Sequence, residues 1–62
     1  MDRKKSILIV DDDKAVLEVI KDILKLQGYR VDTAETGQEA IEKTEKEYYN
    51  LVLLDIKLPD ME

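Results

Sequence analysis

Two short, uninterrupted apolar runs limit what this chain can fold into. Residues 7–10 and Leu51–Leu54 each contain four consecutive large aliphatic side chains, and each run is followed directly by an aspartate. A strand that is apolar on both faces is buried on both faces, which favours a parallel sheet covered by helices. The residues between the two runs therefore have to supply the covering helices.

A helical pattern follows the first run. Apolar or long side chains recur at spacings of three and four residues between positions 14 and 27, which predicts an amphipathic helix there. The residues in this pattern are Val16, Leu17, Ile20, Ile23, Leu24 and Gln27. Asp13 is suited to the N-cap of this helix, and Gly28 stands where a glycine commonly ends one.

The middle of the chain predicts a second strand and a second helix. Residues 29–34 alternate between apolar and polar side chains, as in an edge strand with one solvated face. Thr36 and Glu39 have the spacing of a capping box, which predicts a helix from Thr36 to about Glu47. Its expected packing stripe is thin and consists of Ala40, Ile41 and Thr44, with Tyr48 as a further candidate.

The resulting β-α-β-α-β order predicts an α/β fold, half of a flavodoxin-like domain. Right-handed crossovers place the first strand between the other two, in the order 2-1-3, with one helix on each face of a three-stranded parallel sheet. In such sheets ligands bind at the carboxyl ends of the strands, where the chain reverses its direction of winding. That point lies between the first and third strands.

Acidic residues are predicted to meet at this crevice. Asp11 and Asp12 follow the first strand, and Asp55 follows the third. Neighbouring strands lie about 4.8 Å apart, and two carboxylates about 5 Å apart repel by about 3 kcal/mol at an effective dielectric constant near 20. Three converging carboxylates therefore favour a hard divalent cation, with Mg²⁺ the best candidate. The simpler alternatives are that the acids near Asp13 only cap the helix and that Asp55 only ends a strand.

Composition removes several other classes of function. The 62 residues include no cysteine and no histidine and carry a net charge of −5. Zinc–thiolate sites, disulfide scaffolds and serine–histidine catalysis are thus excluded, and binding to nucleic acid is disfavoured. No apolar run has the roughly 20 residues of a membrane span, so we expect a cytoplasmic protein that contacts no membrane.

Three segments together resemble the receiver domain of two-component response regulators. These are Ile-Leu-Ile-Val-Asp-Asp-Asp at 7–13, Ala-x-x-Gly-x-Glu-Ala at 34–40 and Leu-Leu-Asp-Ile-Lys-Leu-Pro at 53–59. The likeness covers the whole chain in order and spacing. It implies that Asp55 is the phosphoacceptor and that a histidine kinase is the phosphoryl donor.

The resemblance also implies a Mg²⁺ site. Asp12 and Asp55 would give carboxylate oxygens, the backbone carbonyl of Lys57 would be a further ligand, and Asp11 would act mainly through metal-bound water. We expect a signalling module rather than an enzyme.

The chain also departs from the family. Receiver domains have five strands and five helices, whereas residues 1–62 hold three strands and two helices, and we expect them to be a single, incomplete receiver domain. The hydroxyl residue and the lysine that the family carries after its fourth and fifth strands have no counterpart here, so signalling by this chain alone is not expected.

The apolar third strand would be left as an open edge, which predicts self-association, most simply as a two-fold homodimer.

Two other classes of function share features with this sequence. A structural or engineered flavodoxin-like fragment would self-assemble without any activity, and this remains open beside the receiver assignment. Haloacid-dehalogenase-like phosphatases also use an aspartate at a strand end, but they need a second aspartate two residues later. Lys57 occupies that position here, which counts against them.

Overall fold

The computed structural model describes residues 4–54, which form two helices and three strands in the predicted order. The elements are β1 (Ser6–Val10), α1 (Lys14–Leu26), β2 (Arg30–Ala34), α2 (Gly37–Lys46) and β3 (Leu51–Leu54). The boundaries differ from the predicted ones by about one residue, since β1 begins at Ser6 and α1 ends at Leu26.

The sheet has the predicted topology. Its three strands are parallel and lie in the order β2-β1-β3. Val10, the last residue of β1, pairs with Ala34 on one side and with Leu54 on the other. All five residues of β1 are buried, as expected for a strand with a neighbour on each side and a helix over each face.

The alternating side chains of β1 build two separate apolar clusters, one on each face of the sheet. The first contains Ile7, Ile9, Leu17 and Val31, with Ile20 and Leu24 packed against it. The second contains Leu8, Val10, Ala34 and Ala40, with Tyr49 packed against it. Because α1 contributes only to the first cluster and α2 only to the second, the helices cover opposite faces, as predicted.

Side chains cap the start of both helices. Asp13 Oδ1 accepts from the backbone N–H of Ala15 at 2.9 Å, and Gly28 after α1 adopts a φ of 97°, so both predicted ends of α1 are confirmed. Thr36 Oγ1 accepts from the Glu39 N–H at 3.0 Å, as in a capping box. The returning bond is shifted by one residue, because Glu39 Oε1 accepts from the N–H of Glu35 at 2.9 Å.

The predicted packing stripe of α2 was largely wrong. Ala40 is the only buried residue of this helix, whereas Ile41, Thr44 and Tyr48 are exposed. The Thr44 hydroxyl donates to the backbone carbonyl of Ile41 in its own helix at 2.8 Å. Tyr49, which follows the helix, packs against the cluster beneath α2 and adds to the apolar contact that Ala40 makes there.

We expect Leu17→Ala to lower the free energy of unfolding by about 2–5 kcal/mol, because a leucine that is 4% exposed leaves a cavity when truncated. Val19 lies on the same helix but is 58% exposed, and Val19→Ala should change the stability by less than about 0.5 kcal/mol. Urea unfolding followed by circular dichroism measures both variants. Equal losses in the two would contradict the assignment of the α1 core face.

Candidate functional site at the carboxyl edge of the sheet

Asp11 is a buried carboxylate at the carboxyl end of the central strand. It directly follows β1 and is only 6% exposed. Its backbone N–H donates to the carbonyl of Ala34 at 3.1 Å, which extends the contact with β2 by one residue beyond the strand. Its Oδ1 accepts from the backbone N–H of Asp13 at 2.9 Å. The backbone on both sides of Asp11 therefore holds this carboxylate at the edge of the sheet.

The three consecutive acids occupy three different settings. Asp11 is buried, Asp12 is exposed, and Asp13 caps α1 with its side chain. The interpretation of Asp13 as a helix cap is thus confirmed. Asp13 thus caps the helix, and Asp11 orients the turn that leads into it.

A cavity of about 190 Å³ lies at the predicted crevice between the first and third strands. Among the described residues that line it, Asp11 is the single charged one and the others are apolar. They come from the ends of β1 and β3 and from Val16 and Ile20 of α1. A carboxylate at the rim of an apolar cleft is poorly solvated, and this favours a bound cation beside it.

The other half of the predicted site lies outside the described residues. Asp55 is the residue after Leu54 and Lys57 comes two positions later, whereas the described range ends at Leu54. Of the predicted metal ligands, residues 4–54 thus contain Asp11 and Asp12. Within that range no group of three or more acidic, histidine or cysteine side chains is placed to hold a metal ion. The two described donors are carboxylates, which suit a hard cation such as Mg²⁺.

Comparison with known proteins decides the family. A family model described as the response regulator receiver domain matches residues 7–62. The chain belongs to this family. Its fold agrees with a solved receiver domain protein (CheY-like) from Methanospirillum hungatei JF-1, with a TM-score of 0.86 and 55% sequence identity.

Relatives of this receiver segment include transcriptional regulators. The segment is 40% identical over 58 residues to the alkaline phosphatase synthesis transcriptional regulatory protein PhoP of Bacillus subtilis. This match covers 94% of this chain and 24% of that protein. It is 44% identical over 55 residues to a CpxR homolog of Haemophilus influenzae, which covers 89% of this chain and 24% of the relative.

The segment thus spans about a quarter of the length of these relatives. The match to the solved Methanospirillum chain covers 97% of this chain and 48% of that one. Neither helix in residues 4–54 is long and apolar enough to cross a membrane.

A second polar cluster lies away from the carboxyl edge, around the loop that joins α2 to β3. A cavity of about 510 Å³ is found here, lined by Arg30, Glu47 and Asn50 among others. Arg30 forms an ion pair with Glu47, and the Tyr49 hydroxyl donates to Asp32 at 2.6 Å. The charged residues among its described walls are three basic ones and a single acid, Glu47, so these walls carry an excess of positive charge.

Sequence reasoning did not find the carboxylate partner of Tyr49, whose ring packs against the cluster beneath α2. Tyr49 and Asp32 are 17 positions apart, and no local spacing pattern links them. Burial, and then the hydrogen bond to Asp32, raises the pKa of Tyr49 to about 12 from an ordinary value of 10.0.

This shift predicts a loss of stability at alkaline pH. The unfolded chain loses the Tyr49 proton near pH 10, whereas the folded chain retains it up to about pH 12. The stabilisation is therefore complete below pH 10 and is lost as the pH rises towards about 12. Tyr49→Phe should show a shallower fall in the free energy of unfolding across this window. Urea titrations at several pH values compare the two chains, and parallel curves would contradict the Tyr49–Asp32 assignment.

Proposed function

We propose that Asp55 accepts a phosphoryl group, and that Asp11 and Asp12 help to bind the Mg²⁺ ion that this transfer needs. The observation that carries the proposal is the parallel register of β1 and β3, in which Val10 pairs with Leu54. Asp11 directly follows the first of these residues, and Asp55 directly follows the second. Parallel neighbours lie about 4.8 Å apart, which is within reach of a shared ion for aspartate side chains.

Electrostatics supports a cation between these residues. Three aspartates that leave adjacent strands repel one another, and a divalent ion offsets this repulsion more effectively than any side chain of the described segment. Asp11 is buried and fixed by the backbone of Asp13, so it is preorganised for this role. Asp12 is exposed and can present its carboxylate to a hydrated ion. The carbonyl of Lys57 is proposed as the further protein ligand.

The proposed reaction is a phosphoryl transfer from a phosphohistidine of a histidine kinase. A carboxylate oxygen of Asp55 attacks phosphorus, and a P–O bond forms as the P–N bond of the donor breaks. The electron pair of the P–N bond returns to the imidazole, which takes up a proton as it leaves. When bound, Mg²⁺ neutralises the negative charge on the phosphoryl oxygens and brings them to the carboxylate.

For the 62-residue segment, we infer that this phosphoryl transfer is less well supported than in a complete domain. The family places a hydroxyl residue and a lysine after its later strands, and the segment contains neither of these strands in residues 4–54. Phosphoryl transfer to the segment should therefore lack part of the charge stabilisation available in a complete domain. We propose that residues 1–62 form part of a receiver domain, and that they do not transmit a signal by themselves.

Acetyl phosphate with Mg²⁺ tests the proposed acceptor directly. We expect a phosphoryl adduct by intact mass that disappears in Asp55→Asn, because the amide is not a nucleophile towards phosphorus. Asp13→Asn is the matched control, since asparagine caps a helix as well as aspartate does and the adduct should persist. Removal of Mg²⁺ by a chelator should also abolish the adduct. An adduct that survives in Asp55→Asn would contradict the proposal.

Self-association is a second proposal for this segment, carried by the exposure of β3. Its four side chains are 37–61% exposed, although all of them are aliphatic. In the described sheet β3 pairs only with β1, so its other edge offers backbone donors and acceptors to a further strand. We propose a two-fold dimer in which β3 pairs antiparallel with its own copy. This arrangement would also serve the alternative function of a self-assembling fragment without activity.

Symmetry restricts how the two strands can align. A two-fold axis normal to the sheet keeps each side chain on its own face, so directly opposed residues must belong to the same face. Either Val52 or Leu53 therefore lies opposite its own copy. Both alignments place Val52 inside the interface.

Sedimentation velocity over a range of concentrations measures this association. We expect Val52→Lys to shift the segment towards monomer, because it introduces two charges into a short apolar interface. Val19→Lys places the same charge on the exposed face of α1 and should leave the association unchanged. A folded monomer at the highest concentration would refute the dimer without affecting the proposed phosphoacceptor.

A further inference from the structure

The apolar side chains of β3 fix its alignment with β1 only in part. Leu51 and Leu53 pair with Ile7 and Ile9, and the other two residues of β3 are also aliphatic. A slip of one residue would exchange the faces. A slip of two residues would keep two of the four aliphatic pairs and would place the other two residues of β3 opposite polar residues just beyond β1 or at its start. Such a slip would move the end of β3 by about 6.6 Å. A polar contact that forms only in the observed register would add to this selection.

Such a polar contact lies at the start of the two strands. The backbone N–H of Asn50 donates to the carbonyl of Ser6 at 2.8 Å, and the N–H of Ser6 donates to Asn50 Oδ1, also at 2.8 Å. The Ser6 hydroxyl donates to the carbonyl of Tyr48 at 3.0 Å. We call the two reciprocal bonds between Ser6 and Asn50 the Ser6–Asn50 clamp.

The clamp is specific for one register because it uses a side chain. Ser6 is 6% exposed, so its N–H needs a partner within the protein. A slip of two residues would bring Val52 or Tyr48 to the position of Asn50, and neither side chain offers a carbonyl or carboxylate acceptor. The buried N–H of Ser6 would then lose its acceptor, and this unsatisfied donor adds to the cost of the lost aliphatic pairs.

The residues beside Asn50 hold the same loop from the other face. Tyr49 packs against the cluster beneath α2 and donates its hydroxyl to Asp32 of β2. The backbone of Tyr48, the ring of Tyr49 and the side chain of Asn50 are therefore anchored in succession. The loop enters β3 from a fixed position, and the first residue of the strand is fixed with it.

We propose that Asn50 is a positioning residue for the phosphoacceptor: the Ser6–Asn50 clamp sets the β1–β3 register at one end of the sheet and thereby places Asp55 beside Asp11 at the other. Four residues of strand, about 13 Å, separate Ser6 from Val10. The inference rests on the proposed function for the role of Asp55, but the effect on register stands on the described contacts alone.

Asn50→Ala tests the clamp in the 62-residue chain, with Asn50→Asp as the conservative variant, because a carboxylate retains the acceptor for the Ser6 N–H. Cross-strand nuclear Overhauser effects between β1 and β3 report the register, and those between β1 and β2 report the remaining fold.

We expect Asn50→Ala to lose or shift the β1–β3 contacts while the β1–β2 contacts persist. The initial rate of adduct formation with acetyl phosphate should fall by about tenfold or more, as when a buried hydrogen bond is lost. Asn50→Asp should keep both the β1–β3 contacts and the rate of adduct formation of the unaltered chain.

The two readouts separate this inference from the proposed function. An unchanged β1–β3 register in Asn50→Ala would overturn the clamp, whatever the adduct measurement gives. If the unaltered chain forms no adduct, the proposed function fails, and the register measurements still decide whether the clamp exists. If Asn50→Ala does not fold, hydrogen exchange of the unaltered chain decides: the Ser6 amide should be protected at least as well as that of Val10, and exchange near the unfolded rate would overturn the proposal.

Discussion

The burial of β1 on both sides and both faces is the constraint on which the rest of the structure depends. The strand pairs with β2 and β3, and its alternating side chains reach both α1 and α2 through the two apolar clusters. A backbone in this position can have its hydrogen bonds satisfied only by neighbouring strands, because no water reaches it. The acids at its carboxyl end therefore stand at the most firmly held edge of the described chain. A buried carboxylate such as Asp11 requires such support, since a flexible strand end would turn it towards solvent.

Much of this fold could be predicted from short-range patterns. The apolar runs at 7–10 and Leu51–Leu54 identified the two buried strands, and Asp13 and Gly28 identified the ends of α1. Strand order then followed from the handedness of the crossovers rather than from any particular residue. Helix α2 was less predictable because Ala40 is its only buried residue, and a thin stripe gives little information about which side chains are buried.

The candidate site was predictable in position but not in detail. The sequence places Asp11 and Asp12 at a strand end, but only the structure distinguishes the buried carboxylate from the exposed one. The contacts that orient the α2–β3 loop could not be foreseen, because Ser6 and Asn50 are 44 positions apart and only the register of two strands brings them together. That Asp55 lies close to Asp11 and Asp12 stays a prediction, since Asp55 is outside the described range.

The division of the core into two clusters has a consequence for how the chain opens. The clusters share no side chain, and each takes two residues from β1 in alternation. Loss of packing beneath one helix withdraws half of the support from that strand and so weakens the opposite layer as well. The amide protons of β1 should exchange together through global opening, whereas the outer turns of each helix can fray separately. A sheet covered on both sides in this way behaves as one cooperative unit despite its small size.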